Sequence, residues 1–315
     1  MKKSDKIFIA GHNGLVGKAT LDLLRNKGFK NIITIDRKKL DLRDKFEVIK
    51  FFQHKKIDYM IMAAARAGGI IANSKNQKDF FLENVEIQNS LLNLALNKNI
   101  KRTIFLGTSC IYPKFAKTPI SEESLLTGKL EKTNQCYAIA KISGIKLCEA
   151  LKEDSKLDII CLMPTNVYGH NDNFHKVNGH VIPAMIKKFE EAISKKKKEV
   201  TLLGTGRPLR EFIHADDLAS AIVFSLTINE KKITKLFKQK LPILNVGTND
   251  IISIKKLSKM ISKYINYNGN IKFDNKSPDG TFKKNLNTSR MTKLGWFPKI
   301  KLDQGLKEVI EKRKS

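Results

Sequence analysis

Tyr137 and Lys141, in the run Cys136-Tyr137-Ala138-Ile139-Ala140-Lys141, stand four residues apart in a stretch whose pattern predicts a helix to about Glu153. That spacing sets a phenol and an ammonium on one helical face. An ammonium beside a phenol favours the phenolate, so the ordinary pKa of about 10 is expected to fall toward neutrality. The group can then exchange a proton with a carbonyl. This is the chemistry of a carbonyl reductase. The same Y-x-x-x-K spacing also arises by chance on half-exposed helices, so its meaning rests on the elements around it.

Those elements alternate. Apolar runs at Ile7-Ala10, Ile32-Ile35, Tyr59-Met62, Thr103-Leu106 and Asp158-Met163 read as strands. Helical patterns over Leu15 to Asn26, Asp44 to Gln53, Asp79 to Leu96 and the Tyr137 segment separate them. Alternation with buried strands predicts a doubly wound parallel α/β sheet of Rossmann type. Beyond Pro164 a turn-rich stretch from Tyr168 to Asn173 leads to a helix over about Pro183 to Lys195 and a strand at Val200-Leu203. Phe212-Ile213-His214 reads as a strand feeding a helix at Ala215, and Ile243-Val246 as a strand re-entering the first sheet. The expected division is therefore interleaved. Residues 1–165 plus about 205–247 form a dinucleotide-binding domain, and about 166–204 plus 248–315 form a smaller α/β substrate lobe.

Composition bounds the class. The chain has 315 residues, 41% hydrophobic and 29% charged, enough for a large core. No apolar run approaches the roughly eighteen residues of a membrane span, and Ile7-Ala10 reads as a first strand and not a signal peptide. Cys110, Cys136, Cys148 and Cys161 form no C-x-x-C pair, which fits reduced thiols and a cytoplasmic location. The net charge of +28 invites a nucleic-acid reading, but the lysines are scattered, and the one tight block, Lys195 to Lys198, reads as a solvated helix end. Neither nucleic acid nor membrane is expected as a partner; an anionic small substrate gains from the field. No His, Cys, Asp or Glu spacing marks a metal site.

Ile7-Ala10 runs into Gly11-His12-Asn13-Gly14-Leu15-Val16-Gly17, a G-x-x-G-x-x-G loop between predicted strand and helix. Glycines there admit a tight turn and a close approach to a pyrophosphate at a helix N-terminus. Asp36 ends the second strand and Arg37 follows it. An acid at that place takes the adenosine ribose 2′-hydroxyl of NAD, whereas the arginine grips the 2′-phosphate of NADP. The two signals compete, and both dinucleotides stay open.

The run Gly107-Thr108-Ser109-Cys110-Ile111-Tyr112-Pro113-Lys114 adds to the loop and the Tyr137/Lys141 pair a resemblance to the extended short-chain dehydrogenase/reductase superfamily. With Asn134 to Leu147, Met163-Pro164-Thr165-Asn166, Asp172-Asn173-Phe174-His175, His180-Val181-Ile182-Pro183 and Arg210-Glu211-Phe212, nearly the whole chain resembles the GDP-L-fucose synthase family. The resemblance implies an NADPH-dependent enzyme that epimerises a GDP-4-keto-6-deoxy sugar at C3 and C5 and reduces it at C4. It implies that Tyr137 protonates the C4 oxygen, Lys141 holds the nicotinamide ribose and Thr108 bonds the carbonyl, while Cys110 and His180 are base and acid at C3 and C5. Leu106, Gly107, Pro164, Asn166, Val167 and His180 would join Gly11, Asn13, Gly14, Leu15, Val16, Gly17, Asp36 and Arg37 around the cofactor. Lys188, Leu203, Arg210 and Asp279 would meet the GDP-sugar, and a homodimer would form through helices around Asp79-Leu96 and Ser143-Leu151.

Two positions depart from the family pattern. Thr108 replaces the usual serine and keeps the hydroxyl. Leu203 stands where the family has tryptophan; isobutyl for indole opens space for a bulkier sugar such as a GDP-4-keto-deoxyheptose. Three readings follow: the epimerase/reductase, a heptose C4 reductase without epimerase action, and a nucleotide-sensing protein that keeps the fold without catalysis.

Overall fold

The computed structural model describes residues 1–175, 179–229, 231–233, 242–277 and 279–314. Six parallel strands, β1 (Ile7–Ala10), β2 (Ile32–Ile33), β3 (Tyr59–Met62), β4 (Arg102–Leu106), β5 (Ile159–Pro164) and β9 (Ile243–Val246), form one sheet in the order β2-β1-β3-β4-β5-β9. The order reverses beside β1, where β2 and β3 leave in opposite directions and open a crevice at the strand ends. The period of two is kept through the strands. Phe8, Met60, Phe105 and Cys161 point to one face and pack with Leu91, Leu94, Ile142 and Ile145. Ile7, Ile9, Ile104 and Ile160 point to the other and pack with Leu24, Leu218 and Ile222. Helices α4 (Gln77–Asn97) and α5 (Gln135–Ser155) cover the first face; α1 (Leu15–Asn26) and α7 (Ala215–Thr227) cover the second.

The expected element borders hold to within a few residues. Asp44 caps α2 (Lys45–Phe52) by accepting from the amides of Phe46 and Glu47. Strand β2 is shorter than its apolar run, because only Ile32 and Ile33 find partners on β1. Thr34-Ile35 carry the chain on to Asp36, which accepts from Asn13 of the glycine loop. A short helix the pattern did not show, α3 (Ile70–Lys75), precedes α4.

Strands β6 (Asn166–Tyr168), β8 (Leu209–His214), β10 (Ile251–Ser253) and β12 (Lys283–Lys284) form a second sheet, while β7 (Glu199–Leu203) pairs with β11 (Asn270–Asp274). Helix α6 (Val181–Ser194) and the helices at Ile254–Ile265 and Leu302–Lys314 enclose a separate apolar core around Tyr168, Ile186 and Phe189. Among the described residues no helix is long and apolar enough to cross a membrane.

One buried carboxylate ties these parts together. Glu211 on β8 is 0% exposed. Its oxygens accept from the amides of Thr248 (2.6 Å), Asn249 (2.8 Å) and Leu286 (2.8 Å). Its own carbonyl accepts from Thr165 and Asn166 just beyond β5. Glu211→Ala orphans three buried amide groups at about 1–3 kcal/mol each. Urea unfolding should therefore show a loss of roughly 3 kcal/mol or more; a loss below about 1 kcal/mol would mean that the amides find other partners.

Candidate active site

The glycine loop follows β1 directly. Gly11 has φ +85°, in the left-handed region, and a Cβ on Gly17 would lie 2.1 Å from the Gly11 carbonyl oxygen. The first turn of α1 thus sits against the loop with no room for a side chain. No side chain caps α1 at Gly14 and its first turn carries no acid, so the amides of Leu15, Val16 and Gly17 are not claimed by a neighbouring carboxylate or hydroxyl. A loop that only glycine fits and an open positive helix end suit a pyrophosphate. Beside it, Asn13 donates to Asp36 (2.7 Å), and His12 lies 3.5 Å from the same oxygen. Asp36 is therefore drawn toward the loop, while the Arg37 side chain stays 70% exposed with Glu83 at 3.6 Å.

Four of the candidate side chains, Thr108, Cys110, Tyr137 and Lys141, gather where β4 ends. Thr108 leaves the strand in extended conformation and its hydroxyl accepts from the Cys110 amide at 3.2 Å, opening the single turn Ser109–Ile111. Helix α5 delivers Tyr137, half-buried and hydrogen-bonded to Thr108. It can lie this close because Gly144 faces Gln88 and Phe105, where a Cβ would come within 2.5 Å and 2.7 Å. Gln88 of α4 donates to Ala140 O (2.7 Å) and Ser143 Oγ (3.0 Å), clamping α4 to α5.

Lys141 is 4% exposed and donates to the Leu106 carbonyl at 2.9 Å, its ammonium 5.1 Å from the Phe105 ring. Here the structure corrects an expectation. Burial pulls the Lys141 ammonium down to about 8. Tyr137 is not drawn toward neutrality: burial pushes the phenol up, the neighbouring Cys110 adds to the rise, and the Thr108 hydrogen bond only partly offsets them. The four-residue spacing does give a shared face, but the lysine reaches past the phenol to the strand end. In this geometry Tyr137 is a protonated donor.

Cys110 meets two donors the sequence reading did not single out. Asn134 Nδ2 lies 3.2 Å from its sulfur and Lys284 Nζ 3.7 Å. Arg210 on β8 is near enough to feel the same group; burial lowers its guanidinium value, with Asp279 and Cys110 opposing. These partners are 24 and 174 residues from Cys110, and no local spacing could announce them.

His180 precedes α6, with Nδ1 3.1 Å from Asp172 Oδ1. Burial pulls the imidazole down, but the hydrogen bond and charge of Asp172 outweigh it, and the net shift is upward. Asp172 stood inside a family-like run without a role; no spacing rule joins residues eight apart in a loop. A Cβ on Gly69 would meet the Gly179 carbonyl at 2.5 Å, so the chain before His180 rests on the start of α3. Helix α3 in turn packs on Lys132–Asn134, the turn that carries Asn134.

Cofactor candidates Pro164, Asn166 and Val167 lie at and just after the end of β5, with Gly107 bonded from its amide to Leu162 O. Of the substrate candidates, Arg210 donates to the Asp279 carbonyl at 3.2 Å. Both carboxylate oxygens of Asp279 accept from Thr205 at 2.7 Å, pinning the turn after Leu203. Leu203, at the end of β7, is 48% exposed. Lys188 on α6 donates to Thr201 O on the same strand. Pro278, in the turn run before Asp279, lies outside the described residues. Among the described residues no three His, Cys, Asp or Glu side chains gather as a metal ion would need.

The sequence model of the NAD dependent epimerase/dehydratase family matches residues 7–247. GDP-L-fucose synthase 1 of Arabidopsis thaliana is 43% identical over 309 residues, 98% of this chain and 93% of the plant protein. A GDP-6-OMe-4-keto-L-xylo-heptose reductase from C. jejuni superposes with TM-score 0.93 at 33% identity, covering 100% of this chain and 99% of that one. A GDP-mannoheptose C4 reductase from Campylobacter jejuni with NADP bound superposes with TM-score 0.90 at 32% identity, covering 100% of both. The chain belongs to the NAD dependent epimerase/dehydratase family, an oxidoreductase/epimerase group of short-chain dehydrogenase/reductase type, on its GDP-L-fucose synthase branch.

Proposed function

We propose that this protein is an NADPH-dependent reductase of the C4 ketone of a GDP-4-keto-6-deoxy sugar, and that it first epimerises C3 and C5. The observation that carries the reading is the cluster of Thr108, Tyr137 and Cys110 at the mouth of the sheet, beside a glycine loop shaped for a dinucleotide. NADP is favoured over NAD because Asp36 is engaged by Asn13 and His12, leaving Arg37 as the group beside the adenosine ribose. That a related reductase is described with NADP bound agrees. The nicotinamide supplies the hydride that reaches C4 when it is bound.

The chain's own groups manage protons and charge. Thr108 and Tyr137 donate to the C4 oxygen and stabilise the negative charge that develops there. Tyr137, held protonated by its burial, gives up its proton as the alkoxide forms. For epimerisation the C4 ketone acidifies the neighbouring C–H bonds. Cys110 as thiolate removes the proton, the electron pair moves into the carbonyl as an enolate, and His180 returns a proton from the opposite face. Thiol and imidazole then exchange with solvent. Arg210, with Lys188, answers the diphosphate charge. The proposal includes a homodimer through the helices around Asp79-Leu96 and Ser143-Leu151, the first of which exposes Leu82.

Leu203 favours a second reading of the sugar. Its exposed isobutyl group leaves more room than an indole, and structural relatives act on GDP-heptoses. NADPH oxidation with GDP-4-keto-6-deoxy-mannose and with its heptose analogue, products assigned by NMR, tests both readings. Turnover of at least one of these 4-keto GDP-sugars is expected, and its absence with both compounds overturns the reading. If Leu203 sets sugar size, Leu203→Trp lowers kcat/KM for the heptose by about tenfold or more relative to the hexose. An unchanged ratio removes Leu203 from specificity.

Lys141 yields a prediction with opposite signs for stability and activity. Its folded value of about 8 lies below the ordinary 10.5, so the unfolded chain binds more protons between the two. Stability therefore rises with pH across that window, and the cost of the buried ammonium is fully present below it. Lys141→Met should stabilise the protein at pH 7 by about 1–3 kcal/mol in urea unfolding, with the gain shrinking at pH 10, while C4 reduction falls by about 100-fold or more. A Met variant less stable than the native protein at pH 7 contradicts this.

A further inference from the structure

We propose that Asp172 is the positioning residue that holds and aims His180, making a carboxylate–imidazole pair the acid half of the epimerisation site. The inference rests on the proposed function for its chemistry, but not for its geometry. The Asp172 side chain is 3% exposed although its neighbours Asn171 and Asn173 are exposed. Its Oδ1 accepts from the Asn173 amide (2.7 Å) and faces His180 Nδ1 (3.1 Å). Its Oδ2 is buried with no hydrogen-bond partner among the described residues. A buried carboxylate with one oxygen unpaired is costly, and a fixed cation beside it offsets that cost.

Two other features of its surroundings oppose the charge on His180. Burial disfavours its charged form. It occupies the N-cap of the 14-residue helix α6, the positive end of the helix dipole, and the first turn of α6 supplies no acid. Lys75, the charged residue of α3, stands at the far end of that helix from the Gly69–Gly179 contact. His175, in the same loop, bonds to the Gly179 amide through its backbone carbonyl. Among the described residues Asp172 is the one charge that acts on the ring. It also fixes the tautomer: with a proton on Nδ1 for the carboxylate, Nε2 is left to carry the proton that is delivered to carbon. Cys110 is surrounded by donors, Asn134 and Lys284, so the two epimerisation groups sit in environments of opposite charge. Such a division assigns base and acid by surroundings.

The test needs no substrate for its first readout. The protein is labelled with [13C]histidine and the imidazole of His180, assigned by its loss in His180→Gln, is titrated by NMR. The native ring should titrate above the ordinary histidine value of about 6.5, and in Asp172→Asn its midpoint should fall by about one pH unit or more. With GDP-4-keto-6-deoxy-mannose in heavy water, deuterium entry at C3 or C5 should slow by about 10- to 100-fold in Asp172→Asn, its pH profile moving with the titration. The rate of Cys110 alkylation by iodoacetamide should not change. An unmoved His180 midpoint in Asp172→Asn overturns the pairing. If that variant does not fold, a native His180 that titrates below about 6.5 overturns it equally. A shifted midpoint without deuterium entry in the native protein would instead retain the pair and remove the epimerase reading.

Discussion

A lysine ammonium sunk to 4% exposure and bonded to the last carbonyl of β4 fixes the rest of the site. The contact joins helix α5 to the strand end from which Thr108 and Cys110 depart. Any rotation of α5 that moved Tyr137 away from Thr108 would tear Lys141 from Leu106 O and leave a charge buried without a partner, a penalty of several kcal/mol. Gly144 and the Gln88 clamp allow the helix to approach that closely. Function here is held by an interaction that lowers stability in isolation, which is the usual price of a preorganised site.

The same dielectric contrast decides the protonation of each group, and the outcome depends on what stands beside it. Tyr137 and Lys141 are both driven toward their neutral forms by burial, because their nearest partners are weak dipoles. His180, less deeply set, moves the other way, because the hydrogen bond and charge of Asp172 outweigh its desolvation. The upward shift of the phenol, the downward shift of the ammonium and the upward shift of the imidazole thus follow from desolvation set against different neighbours.

Much of this was legible in the chain. Apolar runs alternating with helical patterns predicted the sheet, and the strand-loop-helix context made G-x-x-G-x-x-G meaningful. The Asn134, Lys284 and Asp172 contacts were not legible, since tertiary folding and not spacing brings them to Cys110 and His180. Nor was the behaviour of Tyr137. Helical periodicity correctly gave it a common face with Lys141, but periodicity carries no information about depth, and depth decides where the ammonium points. The competition between Asp36 and Arg37 could be weighed only after Asn13 was seen to engage the aspartate.

The central claim is that reduction and epimerisation use separable groups in one site, Tyr137 with Thr108 for the first and Cys110 with His180 for the second. Tyr137→Phe with GDP-4-keto-6-deoxy-mannose and NADPH in heavy water tests it most directly, read by NMR of the recovered sugar. The account predicts deuterium at C3 and C5 at a near-native rate while C4 reduction falls by about 100-fold or more. Loss of both together, in a variant that still folds and binds NADPH, would contradict it.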